Sequence, residues 1–160
     1  MKKIILTAFA CLSIASVYAE NFSVEFINVG NFHISDIKSG NDTYASWHVN
    51  TVNVATKSGS ELFPVNGIMT GTCIGTSKTV NGSTLTEADC VTKDSSGDEF
   101  TGHLVRDGIV GGPPSKGSNT VKGLSGKFIG LTGKCTYIPS TFKTAEGIQN
   151  VSIGKCDYQK

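Results

Sequence analysis

The residues that could do chemistry here are few, and their spacing restricts each of them. Cys73, Cys90, Cys135 and Cys156 could act as nucleophiles, ligate metal or oxidise in pairs. No C-x-x-C occurs, and no histidine stands at ligand spacing from a cysteine, so no metal centre is expected. His103 and Asp89 could form an imidazole–carboxylate pair of the kind that orients a general base. A triad would also need an activated serine, and Gly123-Leu124-Ser125-Gly126 is too short for a G-x-S-x-G elbow. Asp94, Ser96 and Asp98 present oxygen ligands in a D-x-S-x-D pattern. A calcium loop wants glycine after the third ligand and glutamate six residues on. Here Gly97 precedes Asp98 and Arg106 stands eight beyond it, so the stretch reads as a hairpin turn. "GLSGKFIG" contains Gly-Lys, but Phe128 replaces the metal-binding hydroxyl of a phosphate loop and no helix follows. Neither a catalytic cluster nor a cofactor is expected.

These residues belong to a chain with a composite beginning. Lys2 and Lys3 precede a largely apolar run, Ile4 to Val17, and "VYA" before Glu20 offers a cleavage site after Ala19. Residues 1–19 read as a signal peptide and 20–160 as one domain. An alternative, acylation at Cys11, lacks the usual aliphatic residue three places upstream. The apolar run is shorter than the roughly 20 residues of a membrane span, and no later stretch is longer. Export to a periplasm or beyond is the expected destination. Without Lys2 and Lys3 the chain carries 12 basic and 13 acidic side chains, leaving no basic excess for nucleic acid.

In an exported protein four cysteines read as two disulfides, and turn chemistry selects the pairing. Asn81-Gly82 suits a type I′ hairpin. Residues facing one another then have numbers summing to 163, as Cys73 and Cys90 do, at a non-hydrogen-bonded pair about 4.5 Å apart. "KTAEGI" (143–148) suits a four-residue loop with Gly147 at positive φ. Its register faces Cys135 with Cys156, while Pro139 marks an interruption or an edge. A third hairpin turns at "KDSSGDEF" (93–100), setting Asp94 against Asp98, Cys90 against Gly102 and Thr92 against Phe100. One face of this meander is apolar. The other carries Thr72, Glu87, Asp89, Lys93, Thr101 and His103.

Further strands are expected over 21–29, 44–56, 120–133 and 149–158, with a short one near 33–38 and an exposed loop over 111–119. About eight antiparallel strands predict an all-β domain that closes as a barrel, which removes unpaired edges. A two-sheet sandwich is the alternative. Trp47 and His48 are adjacent on one strand and so point to opposite faces. They and Phe100 are the residues offered for lining a ligand cavity.

"VKGLSGKFIGLTG" (121–133) spends four glycines on what otherwise scans as a strand. Together with the cysteine before the D-x-x-G-D turn of "CVTKDSSGDEF" (90–100), it resembles the barrel superfamily of allene oxide cyclases, dirigent proteins and small secreted bacterial relatives. The resemblance covers residues 65–158. It implies an eight-stranded antiparallel barrel enclosing a small apolar molecule, with the glycines letting a strand coil sharply. The polar lumen residues on which the plant activities depend match no position here. The expectation is therefore an exported, non-enzymatic barrel that binds a small apolar ligand or an envelope or secreted protein partner. The alternative is a cyclase or isomerase acting on an oxidised lipid.

Overall fold

Eight strands follow one another in simple up-and-down order. The computed structural model describes residues 19–109, 112–145 and 147–160; the segment expected to be a signal peptide, apart from Ala19, lies outside the described residues. The strands are β1 (Asn21–Ser39), β2 (Asp42–Ser58), β3 (Ile68–Val80), β4 (Ser83–Lys93), β5 (Glu99–Ile109), β6 (Gly117–Gly123), β7 (Thr132–Thr144) and β8 (Gly147–Gln159). Each pairs antiparallel with its neighbour, and β8 pairs back onto β1, so the sheet closes as a barrel. Closure leaves no free edge for a second sheet, which excludes the sandwich.

The hairpin registers are those expected. Val80 faces Ser83 and Cys73 faces Cys90. Lys93 faces Glu99, with the Asp94 amide donating to the Asp98 carbonyl at 3.1 Å across the turn. Cys135 faces Cys156. Both disulfides are formed, with Cα atoms 4.0 and 3.9 Å apart. Each ties strands 17 or 21 residues apart in sequence, which contributes about 3 kcal/mol through the constraint on the unfolded chain.

Four expectations need correction. Residues 33–38 are not a separate strand but the end of β1, which runs unbroken for 19 residues. The 143–148 loop is tighter than expected, since Thr144 still faces Gly147. Residues 117–119 belong to β6 and not to the exposed loop. Most consequentially, 120–133 is not one strand. It breaks after Gly123 into a single 3₁₀ turn, Gly126–Phe128, before β7 begins. Pro139 does sit at a local edge. β6 pairs with β7 only between Thr132 and Tyr137, so beyond that point β7 has no neighbour on its β6 side and is paired with β8 alone.

The barrel is solid at one end. Inward side chains of β1, β5, β6, β7 and β8 converge there with Phe63, which the connection over 59–67 carries beneath the lumen. That connection is tied back to the strands. Gly59 N–H donates to the Ser23 carbonyl at 3.0 Å and Asn66 N–H to the Ala55 carbonyl at 2.8 Å. Phe63 stacks on Tyr158 with ring centroids 4.7 Å apart and meets Phe22, Phe100 and Phe128. The outer surface differs from side to side. On β4 and β5 charged and polar side chains are interspersed with the exposed Leu85, Val91 and Ile109, whereas one register row across β3, β2, β1, β8 and β7 reads Ile68, Val54, Ile27, Ile153 and Ile138.

Candidate functional site

Above the aromatic floor the barrel encloses a cavity of about 270 Å³. Strand alternation decides what lines it. From β2, Trp47, Val49 and Thr51 point inward, while His48 and Asn50 point out. Trp47 and Phe100 of the three expected lining residues therefore reach the lumen. His48 does not: it lies on the outer surface, stacked on His33 with ring centroids 4.5 Å apart. Both disulfides also face inward and form part of the wall. Ile34 lines the cavity and is 43% exposed, so the mouth lies at the end away from Phe63.

Most polar groups in the wall satisfy one another. Trp47 Nε1 donates to Ser77 Oγ at 3.1 Å, and Ser77 Oγ lies 3.0 Å from Thr86 Oγ1. Asn28 Nδ2 donates to Asn53 Oδ1 at 2.7 Å, and Asn150 Nδ2 to Ser152 Oγ at 2.7 Å. Such pairing removes most of the penalty for placing polar atoms away from water. Tyr137 is buried, which pushes its phenol up to about 12 although the nearby Arg106 charge pulls the other way. It stays a neutral donor at any ordinary pH. Among the described residues lining the cavity, the groups able to carry charge are Arg106 and the phenols of Tyr137 and Tyr158, with no carboxylate, imidazole or amine among them.

Sequence reasoning placed neither Arg106 nor Phe63. Arg106 was within reach of it, because the register that sets Cys90 against Gly102 carries inward alternation on through Leu104 to Arg106. Phe63 gave no periodic signal, since "SGSELFPVNG" (58–67) reads as an ordinary polar turn.

The other candidate clusters resolve into structure. His103 Nδ1 lies 2.9 Å from Asp89 Oδ1 on the exposed face of β4 and β5, as a cross-strand pair. No group of three or more metal-ligating side chains occurs among the described residues. Asp94 and Asp98 are instead the two halves of a latch. Asp94 Oδ1 accepts from the amides of Ser96 and Asp98 at 2.8 and 3.0 Å, and its Oδ2 pairs with Lys127 Nζ at 2.6 Å. Asp98 Oδ2 accepts from the Lys127 amide at 3.1 Å. Glu99 N–H donates to Ser125 Oγ at 2.9 Å, and the Leu124 amide donates to the Glu99 carbonyl at 2.9 Å. The D-x-x-G-D turn and the glycine-rich segment are thus one interlocked structure beneath the barrel. Gly123 and Gly126 serve close approach and not strand coiling: a Cβ on Gly123 would overlap the Phe128 carbonyl, and one on Gly126 the Asp98 carboxylate, whereas Gly130 supplies a positive φ.

Burial by itself would raise the Asp94 pKa. The Lys127 ammonium and the Ser96 and Asp98 amides outweigh it and hold the carboxyl below its ordinary value of 3.8. A carboxyl depressed on folding contributes stability in full above its unfolded pKa, and that contribution disappears as pH falls through the folded one. Asp94→Asn is therefore expected to melt below the wild type at pH 7, with the gap closing once pH drops below 3.8. Melting curves of both proteins from pH 7 to 2 check this. A gap that stays constant would show that the charge on Asp94 contributes nothing.

No protein-family model matches the chain, and no curated protein matches it.

Proposed function

We propose that this is an exported, non-enzymatic barrel protein that holds a small apolar molecule in its lumen, and that it belongs with the small secreted bacterial relatives of allene oxide cyclases and dirigent proteins. The observation that carries the reading is the cavity of about 270 Å³ above an aromatic floor, walled by Val24, Trp47, Val49, Phe100 and Leu104. That volume lies just below the range of small-molecule pockets, about 300–1,000 Å³, and suits a compact ligand. At about 30 Å³ for each water-sized group, it has room for on the order of nine such groups.

The wall chemistry favours binding over turnover. General acid–base catalysis works best with a group whose pKa lies near the operating pH. The lumen offers a guanidinium, phenols pushed upward by burial, and hydroxyls and amides that mostly bond one another. The cysteines of the wall are oxidised and hold no nucleophilic thiol. The membership is supported by the closed eight-stranded barrel and by the contact between the two motifs that carry the likeness. Export is supported by the basic and apolar residues of the N-terminus and by the paired cysteines.

Trp47 is the single tryptophan of the chain and lies in the lumen wall, so its emission reports on the cavity without labelling. A compact apolar molecule is expected to change that emission saturably. Native mass spectrometry should then show one bound molecule per chain. If apolar molecules of this size leave the emission unchanged and the mass stays that of the empty chain, even after incubation with a lipid extract of the host, the lumen does not bind ligand.

A further inference from the structure

The ligand site proposed above contains one side chain that the barrel itself does not use. Arg106 projects inward from β5, with Thr86 facing it on β4 and Gly117 on β6. Gly117 leaves room that the Tyr137 ring fills, and Arg106 lies close enough to Tyr137 for its charge to act on the phenol. Among the described residues the ion pairs lie on the outer surface or in the latch, and none includes Arg106. Among the described residues none of the side-chain hydrogen bonds of the wall involves its guanidinium, although five donors are available to it. Asp107, next in sequence, is exposed and faces outward, so it gives the lumen no counter-charge.

Arg106 is half-buried, and a guanidinium that faces a largely apolar wall is left to pair with an anion entering that wall. The surrounding wall shows that the omission is local. Asn28 with Asn53, Ser77 with Thr86 and Asn150 with Ser152 all form mutual pairs. A second polar atom is also left over in the lumen wall: Asn119 Oδ1, which packs over Gly102, is buried with no partner. Arginine presents a planar fork that fits a carboxylate bidentately. A single guanidinium balances a monoanion, whereas a phosphate monoester would bring nearly two charges to a wall with one cation.

Building on that reading of the lumen, we propose that its ligand is a compact organic carboxylate. The anionic group sits on Arg106 with the Tyr137 hydroxyl beside it. The apolar body lies against Trp47 and Val49.

Octanoate and 1-octanol test this, because they share one tail and differ in charge. Affinities are read from Trp47 emission and by calorimetry at pH 7 for the wild type, Arg106→Gln and Arg106→Lys. Wild type is expected to bind octanoate on the order of tenfold to a hundredfold more tightly than octanol, the range for a hydrogen bond to a charged group. Arg106→Gln should erase that preference, and Arg106→Lys should keep part of it. Equal binding of the two probes by wild type, or a preference that survives in Arg106→Gln, overturns the assignment of Arg106 and leaves the apolar lumen standing. Should neither probe bind the wild type, the lumen reading falls and this one with it. The wild-type comparison stands even if a variant does not fold.

Discussion

Replacing Phe63 with alanine is expected to lower the unfolding free energy by about 3–5 kcal/mol, the range for deleting a buried aromatic ring. Phe63 is 2% exposed and is among the largest fully buried side chains, together with Phe128 and Leu131. Its ring touches four other rings, those of Phe22, Phe100, Phe128 and Tyr158. Those rings stand on strands held by the barrel ladder and cannot close the gap completely, so the loss includes a cavity term as well as the transfer of the ring. The connection over 59–67 rests on this anchor and on a few backbone hydrogen bonds. Its amides are therefore expected to exchange faster in the variant, while those of β3 and β4 keep their ranking. Urea titration measures the first effect and hydrogen exchange the second. A loss under 1 kcal/mol would mean that the floor is held by the loop backbone and not by the ring. In a folded variant the lumen also deepens, so tail-length preference in ligand binding should move toward longer molecules.

Gly126→Ala is the second large effect, expected at about 2–4 kcal/mol, within the upper range of point-mutant losses. Two causes add. Gly126 has φ of +52°, a conformation that disfavours a side chain by about 1–2 kcal/mol. In addition, the new methyl would occupy the place of the Asp98 carboxylate. Moving that carboxylate breaks its bond to the Lys127 amide and disturbs the Asp94–Lys127 pair beside it. Gly130→Ala separates the two causes, because Gly130 also has positive φ, at +84°, but a Cβ there would meet open space. It should lose only the conformational part. Equal losses at both positions, measured by chemical denaturation, would show that the latch contributes nothing beyond backbone conformation.

Both predictions concern the end of the barrel where sequence reasoning was weakest, and the reason is physical. Local chemistry sufficed wherever a turn determined a register. Asn81-Gly82 requires a two-residue turn, and once it is placed every pair from Val80–Ser83 to Cys73–Cys90 follows by counting. The same counting from Gly97 set Phe100 on the inner face, and alternation put Trp47 and His48 on opposite sides of the wall. Gly126 and Gly130 gave no such local instruction. A glycine is equally compatible with a coiled strand, a turn and a close approach, and only the Asp98 carboxylate beside Gly126 distinguishes them. Residues 120–133 therefore scan as one strand, whereas the segment leaves the sheet for eight residues to meet the β4–β5 turn.

The amino-acid sequence by itself determined the all-β class, the hairpin order and both disulfides, because these rest on turn residues and period-two alternation acting over a few positions. Strand number and the cost of free edges already predicted that the barrel closes, as β8 on β1 does, but tertiary structure alone decided that Phe63 closes the floor and that Asp94 grips Lys127. Those contacts join residues far apart in the chain, and their free energy comes from burial and charge pairing that exist only once the barrel has closed. Arg106 lies between the two cases. Its direction could be counted from a turn, but its lack of a partner became visible only when the whole wall was assembled around it.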